Sequence, residues 1–430
     1  MRIVKVWKNL KDSTILTFLF IVFLAIAYAR NHNNMPGIIW ADTEGYYMYL
    51  PAVLIQHSIH HVPERSMDIK KNEQGEVMMK YTCGVAFFYL PFFIGSHVVA
   101  HLLGADTSGF STSYYFGIML CGVFWSMVGV YMLLKLLQRH FTKRIAWLTG
   151  LCLLLGTNYF FYATRWMGMA HIYNFVLVCG LLLLADDYYK KPATKTAAYT
   201  GLLLGWLVLI RPTNIVIALS LLFYNVVSRG DISERIETLK RRYKDIVTAF
   251  LFFIIPLLPQ LYYWKEMTGS WVSYSYTGES FIYWNKPKIA AVLFDTQNGL
   301  ILYSPILILS FVGILVANKD RRTNSINVLT TFTVITYIFA SWWAWWFGAA
   351  YGHRCYIDFY PLFALPMAAA IEQLSTLKIK TLKYLSIAVL IVFIGYNIGM
   401  THAFDHSGIW DGTDWRWNWS KWWGTVTGII

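Results

Sequence analysis

Charge is what this sequence has least of. Only 14% of its 430 residues are Asp, Glu, Lys or Arg, against 57% hydrophobic and 18% aromatic, whereas a soluble domain carries about 25% charged residues. No polar segment is long enough to fold as a separate soluble domain, so an ordinary soluble enzyme is excluded. Apolar runs recur from end to end instead. In lipid, backbone N–H and C=O groups must be paired internally, so the expectation is an all-α polytopic membrane protein. The five cysteines, Cys83, Cys121, Cys152, Cys179 and Cys355, are odd in number and contain no C-x-x-C pair, so they indicate neither a disulfide framework nor a zinc site. There is no P-loop and no G-x-G-x-x-G behind a strand, which argues against a nucleotide donor bound in the cytoplasm. No internal repeat is evident, which counts against an inverted-repeat transporter.

The charge that is present is mostly positive and clustered. The net charge is +13, but Lys and Arg gather in short stretches between apolar runs: 1–12, 135–144, 190–195, 229–244, 319–322 and 378–383. That is the pattern of cytoplasmic loops under the positive-inside rule. It implies contact with anionic membrane lipids and no nucleic-acid partner. If every cluster is cytoplasmic, an even number of crossings separates each from the next. Three apolar runs, 13–30, 84–103 and 114–137, lie between the first two clusters, so one of them does not cross. The run 84–103, with Pro91, His97 and His101, is the odd one and is expected to lie in or dip into the outer interface. The small-residue stretch "AIAYA" at 25–29 has the look of a signal-peptidase site, but the apolar run before it is long and further spans follow, so the first helix is read as uncleaved.

The remaining spans are 145–162, 171–189, 196–210, 213–227, 247–265, 299–317, 327–346, 357–373 and 384–402, which makes about eleven with the first two. The chain is thus expected as one transmembrane domain over 1–430, its N-terminus cytoplasmic. Outside lie a first external region, 31–113, with a juxtamembrane helix and the re-entrant segment, a second external loop, 266–298, and an external aromatic tail, 403–430. The two runs around "RPTN" (211–214) have about 15 residues each and rise only about 22 Å, short of a hydrocarbon core of about 30 Å. Arg211 is therefore expected in a dent below the outer surface, where it needs a wet cavity or an anion.

One face collects Asp42, Glu44, Lys80, Arg165, His171, Arg211, His353 and Arg354. An acid at the bilayer surface opposite several cations suits transfer from an anionic lipid carrier: the carboxylate acts as base for an acceptor hydroxyl, and the cations stabilise the departing phosphate. Each residue has a plainer reading. Asp42 caps the helix opening at "TEGYY", Lys80 and Arg165 snorkel to headgroups, and His171 is a hydrogen-bonded core histidine. Their recurrence on one side raises the functional reading. The outer aromatic runs, "WWAWWF" at 342–347, "YWNKP" at 283–287 and the Trp-rich tail 410–423, read first as an interfacial belt and second as a platform for sugar rings.

These residues also carry a resemblance. "ADTEGYYMYLPAVL" resembles the first-loop acid motif of bacterial type C glycosyltransferases, the superfamily of protein mannosyltransferases and aminoarabinose transferases. "KYTCGVAFFYLPFF" (80–93), "LGTNYFFYATRWMGMAHIYNF" (155–175), "LIRPTN" (209–214), "DTQNGLILYSPILILSFVG" (295–313) and "WWFGAAYGHRCYIDFYPLFALP" (345–366) are similar to further blocks of such proteins. The resemblance implies that fold, with juxtamembrane helices in the first external loop, in the bacterial inner (cytoplasmic) membrane. It implies transfer of a sugar from a polyprenyl-phosphate donor to a glycan, lipid or protein acceptor outside. The catalytic acid of the family corresponds to Asp42. Many members have Asp and Glu adjacent, whereas Thr43 separates them here, so Asp42 and Glu44 both stand as candidate bases.

No cofactor is demanded by these patterns. A divalent metal ion is the one candidate, on the i, i+4 pairs His57/His61, His97/His101 and His402/His406. Two rival functions stand beside the transferase: a lipid or glycan flippase, and a ligase or polymerase using a diphosphate-linked donor. A flippase places ionisable groups at mid-membrane, whereas the spans here are nearly charge-free at their centres.

Overall fold

The computed structural model describes residues 11–60, 62, 70–71, 75–276, 278–406 and 418–429. The first-loop acids Glu64, Asp68 and Glu73, with His61 and tail residues 407–417, lie outside the described residues. The fold is helical apart from one short antiparallel pair, β1 (Lys70–Lys71) with β2 (Val77–Met78). In chain order the helices are α1 (Asp12–Asn31), α2 (Asp42–Tyr47), α3 (Tyr49–Leu54), α4 (Gly84–Leu102), α5 (Thr112–Gln138), α6 (Lys143–Gly156), α7 (Tyr159–Thr164), α8 (Ala170–Lys190) and α9 (Thr194–Ile210). There follow α10 (Leu219–Phe223), α11 (Arg229–Arg241), α12 (Tyr243–Ile254), α13 (Leu258–Thr268), α14 (Ile289–Phe294), α15 (Leu300–Tyr303), α16 (Ile308–Val316), α17 (Ser325–Ser341), α18 (Tyr360–Ser375), α19 (Lys380–Asp405) and α20 (Trp419–Ile429).

Each of the eleven expected spans falls on a helix or on consecutive short helices. Among the described residues, six stretches are long and apolar enough to cross a membrane unaided: Asp12–Ile38, Gly84–Leu102, Thr112–Gln138, Ala170–Lys190, Tyr243–Thr268 and Lys380–Asp405. The other spans are shorter or broken, as at Pro212, where α9 stops and a 3-10 turn begins. With 17 residues, α9 rises about 25 Å, which keeps Arg211 below the height of a full span.

The chain, expected as one domain, forms two compact units. The first comprises 1–132, 162–176 and 259–275, and the second 133–161, 177–258 and 276–430. In the first unit the end of α1 is tied to the segment after α7. Arg30 bonds Thr164 Oγ1 at 2.6 Å and Asn31 bonds the Thr164 carbonyl at 3.2 Å. The segment 84–103 is a single helix, α4, continuous through Pro91. It packs antiparallel on α5, Phe88 against Trp125 (5.0 Å between ring centroids), Phe92 against Phe124 (5.6 Å) and Phe93 against Tyr114 (5.2 Å). These partners run from Tyr114 to Trp125, the midpoint of α5, as Phe93 to Phe88 of α4 are followed back. α2 and α3 rest on it there, Tyr47 touching the rings of Tyr89 and Phe93 and donating to the Gly109 carbonyl at 2.5 Å.

The second unit is built around α18, buried from Tyr360 to Ile371. Close helix approach depends on glycine: a Cβ at Gly201 or Gly205 of α9 would stand 1.9 or 2.2 Å from the Ala249 or Phe253 carbonyl oxygen of α12. The buried Asn397 amide is paired, donating to the carbonyls of Leu155 and Thr157 at 2.8 Å each, as a polar group away from water needs. At one end of this unit the basic clusters converge. Arg139 bonds Asp186 and Asp187, Arg242 bonds Asp245 and the Pro192 carbonyl, Arg321 bonds Asp231, Arg322 bonds Glu372 and the His140 carbonyl, and Lys383 bonds the Ser375 carbonyl. Five separated clusters meeting at one end is what an even number of crossings between them requires.

Candidate active site

In the first unit, α2 begins at Asp42. The preceding residue, Ala41, has φ 51° and ψ −127°, a conformation that costs a residue with a Cβ about 1–3 kcal/mol. It turns the chain sharply into the helix. Asp42 is the first residue of α2 and not its cap: the capping position is Ala41, whose side chain makes no capping bond. Oδ1 of Asp42 accepts from the Tyr81 hydroxyl at 2.7 Å, across 39 residues of sequence. The Tyr81 ring reaches Asp42 by lying flat over Gly45, where an added Cβ would stand 2.3 Å from the ring. Tyr46 closes the other side of that ring at 4.9 Å. Asp42 is half-buried, while Glu44 is buried at 6% exposure. Two residues apart on a helix, the two carboxylates point about 200° from each other, so α2 does not present both to one cavity.

The other candidates of this unit fare unequally. Lys80 is half-buried, its ammonium 5.8 Å from the Tyr81 ring centroid, and its carbonyl accepts from Ser275. It stands beside the ring that bonds the acid. Arg165 is a strut: its Nη1 donates to the Arg30 carbonyl at 2.9 Å and to Asn31 Oδ1 at 2.5 Å, pinning its loop to the end of α1. Thr43, adjacent to the acid, packs on Gly168 of the same loop and donates weakly to Met169 Sδ. His171 is buried at 1% exposure, edge-on to Tyr162, which is the geometry of a core histidine.

In the second unit, the "RPTN" turn and the "GHRCYID" segment come together. Asn214 donates to Asp358 Oδ2 at 2.9 Å, both side chains buried. That bond docks the turn after α9 on the 3-10 helix Arg354–Phe359. Arg211 and Arg354 are half-buried, and both lie close enough to the Cys355 thiol to act on it electrostatically. The Arg211 guanidinium also faces the Phe347 ring at 5.7 Å. His353 sits in an aromatic box of Phe339, Phe347 and Tyr356, its Nε2–H donating to the Trp345 carbonyl at 3.1 Å. At 1% exposure it is a support for the Arg354 backbone and has little surface for a ligand.

Tyr81, Gly45, Asn214 and Asp358 were not singled out from sequence. Each lies inside a motif already recognised, which was the available signal, but only the fold reveals which of them touch. As for metal, no group of three or more His, Cys, Asp or Glu among the described residues is placed to hold an ion. The His97 ring bonds the Tyr114 hydroxyl at 2.5 Å, and His402 and His406 lie ring to ring at 4.3 Å.

No protein-family model matches the chain, and no curated protein matches it in sequence. Solved structures do. The apo oligosaccharyltransferase of Archaeoglobus fulgidus aligns over 91% of this chain and 55% of its own, with TM-score 0.50 and 13% identity. This chain thus spans little more than half of that enzyme. ArnT from Cupriavidus metallidurans in the apo state aligns over 97% of this chain and 77% of its own, with TM-score 0.51 and 12% identity. The same ArnT bound to undecaprenyl phosphate gives TM-score 0.50 and 13% identity. At such identities the likeness speaks for architecture. The fold of this chain is that of the type C membrane glycosyltransferases.

Proposed function

We propose that this protein is a glycosyltransferase that moves a sugar from a polyprenyl-phosphate donor to a glycan, lipid or protein acceptor on the outer side of the membrane. The observation that carries the reading is the half-buried Asp42 carboxylate at the start of a short helix, oriented by Tyr81. Asp42 takes the acceptor hydroxyl's proton as the hydroxyl oxygen bonds to the anomeric carbon. The bond from that carbon to the phosphate oxygen breaks, and its electron pair leaves with the polyprenyl phosphate. General-base assistance of this kind contributes about 100- to 10,000-fold in rate. Of the proposed substrate-binding residues, the half-buried cations Lys80, Arg211 and Arg354 suit a phosphate best. Arg165, His171 and His353 support the backbone around them. Glu44, buried and turned from Asp42, is the secondary acid.

The outer placement follows from the positive-inside rule applied to the converging basic end, with the N-terminus cytoplasmic. It requires that α4, although long and apolar enough to cross, not do so. Cysteine labels at Lys71 and Ser108, on either side of α4, should then react with an impermeant reagent from the same, external, face. Labelling from opposite faces overturns that topology.

Lipid extracts of a deletion strain, analysed by mass spectrometry, test the activity. A polyprenyl-phosphate sugar should accumulate, and should be cleared by the wild-type gene and not by Asp42→Asn. No accumulation counts against the transferase. Accumulation of a diphosphate-linked glycan points to the ligase or polymerase instead.

A further inference from the structure

Helix α11 (Arg229–Arg241) is polar by composition, with no buried residue, yet it carries an apolar stripe. It starts at a capping box, Ser228 with Asp231, so its first turn is well fixed. One face anchors it to the second unit: Asp231 accepts from Arg321 at 2.6 Å, and Arg235, one turn on, donates to the Tyr224 carbonyl at 2.7 Å and covers the Tyr189 ring. At about 100° per residue, Ile232, Ile236 and Leu239 centre about a quarter-turn from this anchor. Arg229 and Lys240 lie about 60° further round, and Glu234 and Glu237 fall beyond them on the far side. The order around the helix is therefore anchor, apolar stripe, cations, acids. Ile236 is 46% exposed, and both Arg229 and Lys240 are exposed.

Among the described residues Ile236 is left 46% exposed, and the neighbouring sequence indicates what covers it. After a break at Arg242 (φ −103°, ψ 30°), α12 follows at once with Tyr243, Ile246, Val247 and Phe250, which are 49–60% exposed. α12 opens a stretch long and apolar enough to cross a membrane, so those side chains face lipid. An apolar stripe on the helix that immediately precedes a lipid-facing one, bordered by cations with the acids turned away, fits an anionic bilayer surface. We infer that α11 docks its Ile232–Ile236–Leu239 stripe into the headgroup layer of the membrane, with Arg229 and Lys240 engaging anionic phospholipid. This inference is independent of the sugar-transfer reading.

The test uses the full-length protein with one added cysteine, Ile236→Cys, carrying an environment-sensitive fluorophore. The five native cysteines are buried, so labelling is selective. Glu234→Cys, about 160° round the helix from Ile236, reports the opposite face, and Ile232→Cys serves if Ile236→Cys folds poorly. The proteins are placed in nanodiscs of phosphatidylcholine alone or with an equal part of phosphatidylglycerol, each containing a headgroup-level nitroxide lipid. Quenching at Ile236→Cys should exceed that at Glu234→Cys at least threefold. It should be about twofold stronger with phosphatidylglycerol, and Arg229→Gln with Lys240→Gln should erase that gain. Equal quenching at the two positions, or none in either disc, overturns the docking. Quenching that ignores lipid charge overturns the role of the two cations.

Discussion

The acid of the first unit and the cations of the second are held by opposite means. Asp42 stands on a strained turn and accepts from a tyrosine of a distant segment, over a glycine that exists as a gap. Arg211 and Arg354 rise from a buried platform, in which the Asn214–Asp358 bond and the aromatic box around His353 fix the backbone beneath them. In both units the candidates for chemistry are half-buried charges, and in the second the polar residues beneath them, Asn214, His353 and Asp358, are fully buried. Residue type alone does not make that distinction: His171 and His353 look catalytic in a sequence and are packed away in the fold.

The largest effect should break the comparison at its reactive end. Asp42→Asn keeps the shape and removes the base, so the rate of transfer by purified enzyme should fall about 100- to 10,000-fold, with donor binding retained. Glu44→Gln should leave measurable activity. If the two variants exchange behaviour, the base is Glu44.

Next in size are the cations. Removing a charged hydrogen-bond donor costs about 1.5–3 kcal/mol, or about 10- to 150-fold. Arg211→Ala and Arg354→Ala should each raise the donor's KM by about that factor, with expression unchanged. Wild-type kinetics in both would remove them from donor binding.

A smaller loss tests the way the acid is held. Tyr81→Phe deletes one neutral donor, worth about 0.5–1.5 kcal/mol, and should lower kcat about 2- to 10-fold. Gly45→Ala displaces the Tyr81 ring and should match or exceed that loss. Equal and full activity in both would mean that Asp42 needs no orientation from Tyr81.

The smallest effect lies at the basic end of the second unit. The Arg321 guanidinium, with backbone N–H groups of the α11 cap, holds the Asp231 carboxyl well below the usual carboxylate range. A depressed carboxyl stabilises the fold above its unfolded value near 3.9 and loses that contribution as pH falls further. Arg321 is more than half exposed, so Arg321→Gln should cost about 0–1 kcal/mol at neutral pH. The difference in thermal unfolding from wild type should shrink below about pH 4. A gap that widens in acid would exclude this pair as its source.

What the sequence determined by itself was the class, the spans and the chemistry-bearing motifs. A backbone in lipid must be helical, and clustered cations count the crossings, so these features are readable one segment at a time. The short runs around Arg211 and the acid of "ADTEGYY" were legible for the same reason. The tertiary structure decided everything that depends on two distant segments meeting: that Tyr81 reaches Asp42 over Gly45, that Asn214 docks on Asp358, and that Arg165 is spent on the end of α1. It also decided that the segment 84–102 is one helix, continuous through Pro91, packed antiparallel on α5. Hydropathy is a property of one helix, whereas the partner of a side chain is set by how close two backbones come, and no single stretch of sequence contains that distance.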